Sequence, residues 1–164
     1  MSGRVVDRAE LLAELEAARA AGRRVVLTNG CFDLLHAGHV RYLRDAAALG
    51  DLLVVGLNGD ASVRALKGPG RPILPEAERA ELLAALEMVD YVVLFDEETA
   101  ELLVSQVRPD VYVKGGDYSA ESLPEAGIVQ GYGGRVELVR YHDGLSTSGI
   151  VQKILDAYCP GDRG

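Results

Sequence analysis

Two histidines three residues apart, His36 and His39, close the run Asn29-Gly-Cys-Phe-Asp-Leu-Leu-His-Ala-Gly-His39. The β-branched stretch Arg24–Thr28 ends just before this run, and Val40, Leu43 and Ala47 then recur at helical spacing, so the histidines stand where a strand hands over to a helix. At i and i+3 of a helix start they share one face and reach the same bound group. Asn29, Gly30 and Gly38 keep the junction small enough for a ligand to approach the backbone, and the first-turn N–H groups lack intrahelical partners and attract anions. The chemistry indicated is phosphate binding, with the two imidazoles donating to oxygens whose charge shifts in a transition state.

Three further constellations suit the same ligand class. Lys67-Gly-Pro-Gly-Arg-Pro-Ile-Leu-Pro75 reads as an exposed loop, the place for a mobile cover over a polyphosphate, with Arg79 one turn into the next helix. Lys67 and Arg71 would neutralise β- and γ-phosphates, and Arg79 offers planar bidentate donors. In Val113-Lys-Gly-Gly-Asp-Tyr118, Lys114 stands beside Gly115 and Gly116, which allow close backbone approach, while Asp117 accepts from hydroxyls or a base amino group. In Asp143-Gly-Leu-Ser-Thr-Ser-Gly-Ile150, Ser146 or Thr147 caps the last helix, and such a start also holds phosphate. Each has a plainer reading: a solubilising loop for Lys67–Pro75 and simple capping for Ser146 or Thr147. For Asp60 and Asp90 the plainer readings, helix cap and strand-entry turn, are preferred.

The elements that must position these residues alternate along the chain. A leading amphipathic helix is expected over about 8–20, with Leu11, Leu12, Leu15 and Ala18 as its buried stripe, followed by the strand 24–28 and the motif helix 37–49. Asp51-Leu-Leu-Val-Val-Gly-Leu-Asn58 is nearly continuous in apolar residues, as in a strand covered on both faces. Helices are expected over 60–66, 76–86, 99–107, about 123–132 and 147–158, and strands over 91–95, 111–113 and 136–139. Strands separated by helices imply an α/β, Rossmann-like doubly wound parallel sheet. In such sheets ligands lie at the carboxyl ends of the strands, where the residues after Thr28 and Val113 fall. No internal repeat, low-complexity stretch or linker divides the 164 residues, so a single domain, 1–164, is expected, with its core at about 24–155.

Composition excludes several classes. A formal net charge of −8 argues against a general nucleic-acid binder, which needs a basic surface to release counterions. No apolar run approaches the roughly 20 residues of a spanning helix, and the N-terminus lacks the pattern of a secretory signal, so a cytoplasmic protein with no membrane partner is expected. Cys31 and Cys159 form no Cys-x-x-Cys pair and indicate neither a disulfide framework nor a zinc site. No metal ligands are expected from the protein; Mg²⁺ would arrive with a nucleotide.

His36-Ala-Gly-His39, embedded in Gly-x-Phe-Asp-Leu-Leu-His, resembles the His-x-Gly-His signature of the nucleotidyltransferase superfamily that includes the glycerol-phosphate and ethanolamine-phosphate cytidylyltransferases. Lys114-Gly-Gly-Asp-Tyr118 narrows the resemblance to the adenylyltransferase domain acting on D-glycero-D-manno-heptose 1-phosphate. Leu57-Asn-Gly-Asp-Ala-Ser62, Ala85-Leu-Glu-Met-Val-Asp90 and Gly133-Gly-Arg-Val136 extend it over about 24–155. One departure lies at His142 and Ser148, where the heptose enzymes usually show an acidic residue and threonine. Another is that the domain often follows a sugar kinase, whereas here only a short helix precedes it; a separate kinase and a phosphatase would then be expected to complete the pathway. The resemblance implies transfer of AMP from ATP to the sugar 1-phosphate, with His36, His39 and Lys67 catalytic. Thr28, Asn29, Gly30, Cys31, Phe32 and Asp33 would complete the nucleotide loop. Arg79, Lys114, Gly115, Gly116, Asp117, Ser146, Thr147 and Ser148 would also bind nucleotide, and Lys67, Arg71, Lys114, Asp117 and Tyr118 the sugar phosphate. The alternatives are a CTP-dependent cytidylyltransferase for a polyol phosphate and a nucleotide-binding module without turnover. A homodimer is expected from the frequency of such assemblies.

Overall fold

The structure, a computed structural model, describes residues 3–116, 119–140 and 144–161. Its elements run in the order β1 (Arg4–Val5), α1 (Arg8–Ala20), β2 (Val25–Gly30), α2 (Ala37–Ala47), β3 (Leu52–Asn58), α3 (Asp60–Lys67), α4 (Glu76–Ala84), β4 (Tyr91–Phe95), α5 (Glu101–Val107), β5 (Val111–Gly115), α6 (Ala126–Gly131), β6 (Arg135–Val139) and α7 (Thr147–Tyr158). A 3₁₀ turn, Ala120–Ser122, precedes α6. The six strands form one parallel sheet in the order β1-β4-β3-β2-β5-β6. This is the α/β, Rossmann-like architecture expected from the alternating pattern.

Burial explains why the strands read as they do. Every residue of β3 is buried, as a central strand covered on both faces requires. Side chains alternate between two cores: Val25 and Leu27 of β2 pack with Leu11 and Leu15 of α1, Leu103 and Val104 of α5 and Val129 of α6. Val26 of the same strand packs on the other side with Tyr42, Leu43 and Ala46 of α2 and Leu83 of α4. In α1 the buried stripe is Leu11, Leu15 and Ala18, and Asp7 caps it by accepting from the Glu10 N–H at 2.8 Å.

Strand ends are fixed by carboxylates. Asp110 accepts from the Val25 N–H at 2.7 Å and Asp90 from the Leu53 N–H at 2.8 Å, so Asp90 serves strand entry as expected. Asp60 differs from expectation: Gly59 occupies the cap position of α3, and the Asp60 carboxylate instead meets the Arg79 guanidinium at 2.8 Å. From β2 the chain builds outward through β3 to β4, then crosses back to place β5 on the other flank of β2. The strand order reverses between β2 and β5, which opens a crevice at their carboxyl ends.

Candidate active site

A cavity of about 760 Å³ occupies that crevice. His36 and His39 line it from the start of α2. His36 is the N-cap: its Nδ1 accepts from the Gly38 N–H at 3.1 Å, while His39 Nδ1 accepts from the His36 N–H at 3.3 Å. Two nitrogens that accept backbone protons cannot carry their own, so each ring is assigned the tautomer with its proton on Nε2. The rings stack with centroids 3.8 Å apart. Burial and the neighbouring ring push His39 down to about 4, and burial also lowers His36, so both are neutral donors near pH 7. Gly38 is needed here: a Cβ would lie 2.9 Å from the His36 ring and 3.1 Å from Leu145 Cβ.

The loop before the histidines is held under strain and by buried bonds. Phe32 adopts φ +43°, a left-handed conformation costly for a side chain of its size, with its ring 5.4 Å from that of His39. Asp33 is buried and accepts from the Ile73 N–H at 2.8 Å, the Leu74 N–H at 3.0 Å and Arg71 at 3.4 Å. It thereby ties the Lys67–Pro75 loop to the motif loop. Lys67, at the exposed end of α3, and Arg71 line the cavity. Asn29 lines it too, accepting from the Tyr112 hydroxyl at 2.5 Å, as do Gly30 and Cys31, whose thiol burial pushes up.

Two residues expected at the ligand lie elsewhere. Arg79 does not line the cavity: it is fully buried, and its guanidinium donates to the carbonyls of Leu74, Cys31 and Asn58 and to Asp60. Carbonyls left open where β3 and the motif loop end need a donor, and a planar fork supplies several at once. Thr28 is likewise buried, donating to the Tyr42 hydroxyl at 2.6 Å, which donates to the Val113 carbonyl at 3.3 Å. That chain of bonds staples β2, α2 and β5 together.

On the β5 side, Lys114, Gly115 and Gly116 line the cavity, and burial lowers Lys114. Opposite α2 stands the start of α7, where the Ser146 hydroxyl caps by accepting from the Gly149 N–H at 2.9 Å. Thr147 donates to the Leu34 carbonyl at 3.2 Å, and Ser146, Thr147 and Ser148 all line the cavity. Asp117, Tyr118 and His142 lie outside the described residues.

The lining also includes Asn58, Phe95, Glu98, Thr99, Leu123 and Glu125, which the sequence reading missed. Glu125 is buried; one carboxyl oxygen accepts from the Ala100 N–H at 3.2 Å and the other has no hydrogen-bond partner. Leaving such an atom unpaired costs about 1–3 kcal/mol, and more when charged. The signal available was a lone acid heading an otherwise apolar helix. Among the described residues no group of three or more His, Cys, Asp or Glu is arranged to hold a metal ion.

The bifunctional protein HldE of Syntrophotalea carbinolica is 58% identical over 147 residues, covering 90% of this chain and 30% of that protein. That of Geobacter sulfurreducens is 56% identical over 154 residues, covering 93% of this chain and 31% of its own. The chain thus spans about 30% of the length of these curated relatives. The crystal structure of the lipopolysaccharide core biosynthesis protein from Thermoplasma volcanium GSS1 superposes with a TM-score of 0.61 at 33% identity, covering 74% of this chain and 98% of that one. With residues 27–152 matching its pattern, the chain belongs to the cytidylyltransferase-like family.

Proposed function

We propose that this chain transfers the AMP group of ATP to D-glycero-D-manno-heptose 1-phosphate, giving ADP-heptose and pyrophosphate. The observation that carries the reading is the neutral histidine pair, with both Nδ1 atoms engaged by backbone N–H groups and both Nε2–H groups available as donors at the switch-point cavity. A phosphate oxygen of the sugar phosphate bonds to the α-phosphorus of ATP in line, the bond from that phosphorus to the bridging oxygen breaks, and its electron pair leaves on pyrophosphate. The attacking phosphate is already an anion near neutral pH, so the protein positions reactants and stabilises spreading charge.

His36 and His39 donate at the α/β-phosphate region, with His39 the principal transition-state donor. Lys67, Arg71, Lys114 and the start of α7 hold the remaining phosphate charge. Mg²⁺ bound to the nucleotide would neutralise the leaving pyrophosphate. Arg79 is a positioning residue in this scheme. The sugar is chosen on Lys114-Gly-Gly-Asp-Tyr118 and supported by the relatives named bifunctional protein HldE. A single cytoplasmic domain acting as a homodimer completes the proposal; no described helix is long and apolar enough to cross a membrane.

The family's description favours a second reading, CTP with glycerol 3-phosphate or another polyol phosphate. Pyrophosphate release with Mg²⁺, crossing ATP, CTP, GTP and UTP against both heptose 1-phosphate anomers and glycerol 3-phosphate, separates the two. Release with ATP and one heptose anomer is expected; release with CTP and glycerol 3-phosphate moves the chain to the second reading, and silence throughout leaves a binding module.

A further inference from the structure

One carboxyl group in the cavity has no use in the scheme above. Glu125, the residue before α6, is 5% exposed, lines the cavity, and has one oxygen fixed by the Ala100 N–H at 3.2 Å. Its Oε2 is the only buried side-chain polar atom among the described residues that lacks a hydrogen-bond partner. Buried polar atoms in native folds are paired, and an exception calls for a partner that the unliganded protein does not hold. The charge of Lys114, attracted to Glu125 in the same cavity, offsets part of the desolvation but supplies no hydrogen bond to this oxygen.

Position decides what that partner is. Groups suited to phosphate gather at the crevice between β2 and β5: the histidine pair, Lys114 and the start of α7. Ala100, which anchors Glu125, follows β4 on the other flank of β2. The lining also includes Glu98 and Thr99, the residues just before Ala100, so the stretch that anchors Glu125 brings a second carboxylate into the cavity. Negative charge there repels a polyphosphate and suits an uncharged, hydroxyl-rich group, whose O–H makes a strong charge-assisted bond to a carboxylate.

We propose that Glu125 is a specificity-determining residue of the acceptor site, its Oε2 accepting a hydrogen bond from a hydroxyl of the bound sugar phosphate. The inference rests on the sugar-phosphate reading above. Oε2 is covered in the unliganded protein, so the lining side chains shift to admit the hydroxyl as the sugar seats, with the bond to the Ala100 N–H kept. An acceptor without a hydroxyl at that place leaves the oxygen unpaired and binds poorly.

Glu125→Gln tests this directly, because it keeps size and an oxygen for Ala100 but presents an NH₂ donor where an acceptor is needed. Steady-state pyrophosphate release is measured on wild type and variant, varying ATP and D-glycero-D-manno-heptose 1-phosphate in turn. The KM for the heptose phosphate is expected to rise about tenfold or more, with the KM for ATP held within about twofold. Unchanged constants, or a rise confined to ATP, overturn the assignment. If the variant does not fold, monodeoxy heptose 1-phosphates are tried on wild type: a loss of about tenfold at one position supports the inference, and uniform tolerance overturns it. Wild-type silence with ATP and the heptose phosphate overturns the proposed function and this inference with it, whereas wild-type turnover with unchanged variant constants overturns the role of Glu125 alone.

Discussion

His39 is the residue on which chemistry and stability meet. Its Nδ1 accepts from the backbone of His36 and therefore has to stay unprotonated, which is also the state that leaves Nε2–H to donate to a phosphate oxygen. Removing that donor is expected to lower turnover about 10²-fold or more while ATP affinity changes little; His39→Ala, compared by single-turnover rate and by calorimetric ATP binding, checks it, and equal losses in both would contradict the role. A pH dependence follows from the same bond. Above pH 6.5 the imidazole is neutral whether the chain is folded or not; as pH falls from 6.5 to about 4 the unfolded chain takes up a proton that folded His39 refuses. Stability of the unliganded protein should therefore decline across that window, with no further contribution from His39 below it. Urea midpoints from pH 7.5 to 4 should fall less steeply in His39→Asn than in wild type, and parallel curves would refute the coupling.

At the scale of elements, the site is held by buried polar side chains, one of which, Arg79, does not line the cavity. Arg79 joins the motif loop at Cys31, the end of β3 at Asn58, the start of α3 at Asp60 and the following loop at Leu74. Truncating it to Ala leaves three carbonyls and a carboxylate without a donor, and a loss of about 3–5 kcal/mol in urea unfolding is expected. Arg79→Lys should lose nearly as much, because an ammonium cannot match the planar fork; full stability in the Lys variant would show that charge alone suffices. Asp33 does for the Lys67–Pro75 loop what Arg79 does for the strand ends. Asp33→Ala, which removes the acceptor for the Ile73 and Leu74 N–H groups, should raise the KM for ATP and speed proteolysis within 67–75. These roles were hard to read from sequence because burial of a polar side chain depends on where carbonyl ends converge in space. The hydrophobic pattern, by contrast, announced α1, β3 and α7 almost to the residue, and the glycine-flanked histidines announced the strand-to-helix site. The two-residue β1 was too short to show a period, and β5 ran on through Lys114 and Gly115 because a lysine and a glycine look like a strand's end rather than its last turns.

The molecule as a whole carries a net charge of −8 yet is expected to bind two anions, so its cations have to be concentrated rather than numerous. Three of them, Lys67, Arg71 and Lys114, share the cavity lining, together with the acids Asp33, Glu98 and Glu125. The other imbalance is apolar. No residue of α7 is buried, although its sequence is amphipathic, and Ile154, Leu155 and Tyr158 stand 50%, 46% and 81% exposed, with Leu138 of the edge strand β6 also exposed. An uncovered apolar helix face of this kind is ordinarily an interaction surface, and a two-fold contact would let each copy cover the other with the same patch. The start of α7 lines the cavity, so such a contact would also steady Ser146 and Thr147 against the motif helix. Sedimentation of the purified chain is expected to show a dimer that Leu155→Glu converts to monomer, with a higher KM for ATP in the variant and unchanged secondary structure by circular dichroism. A wild-type chain that stays monomeric at tens of micromolar would remove the homodimer from the proposal and leave the α7 face to a partner of another kind.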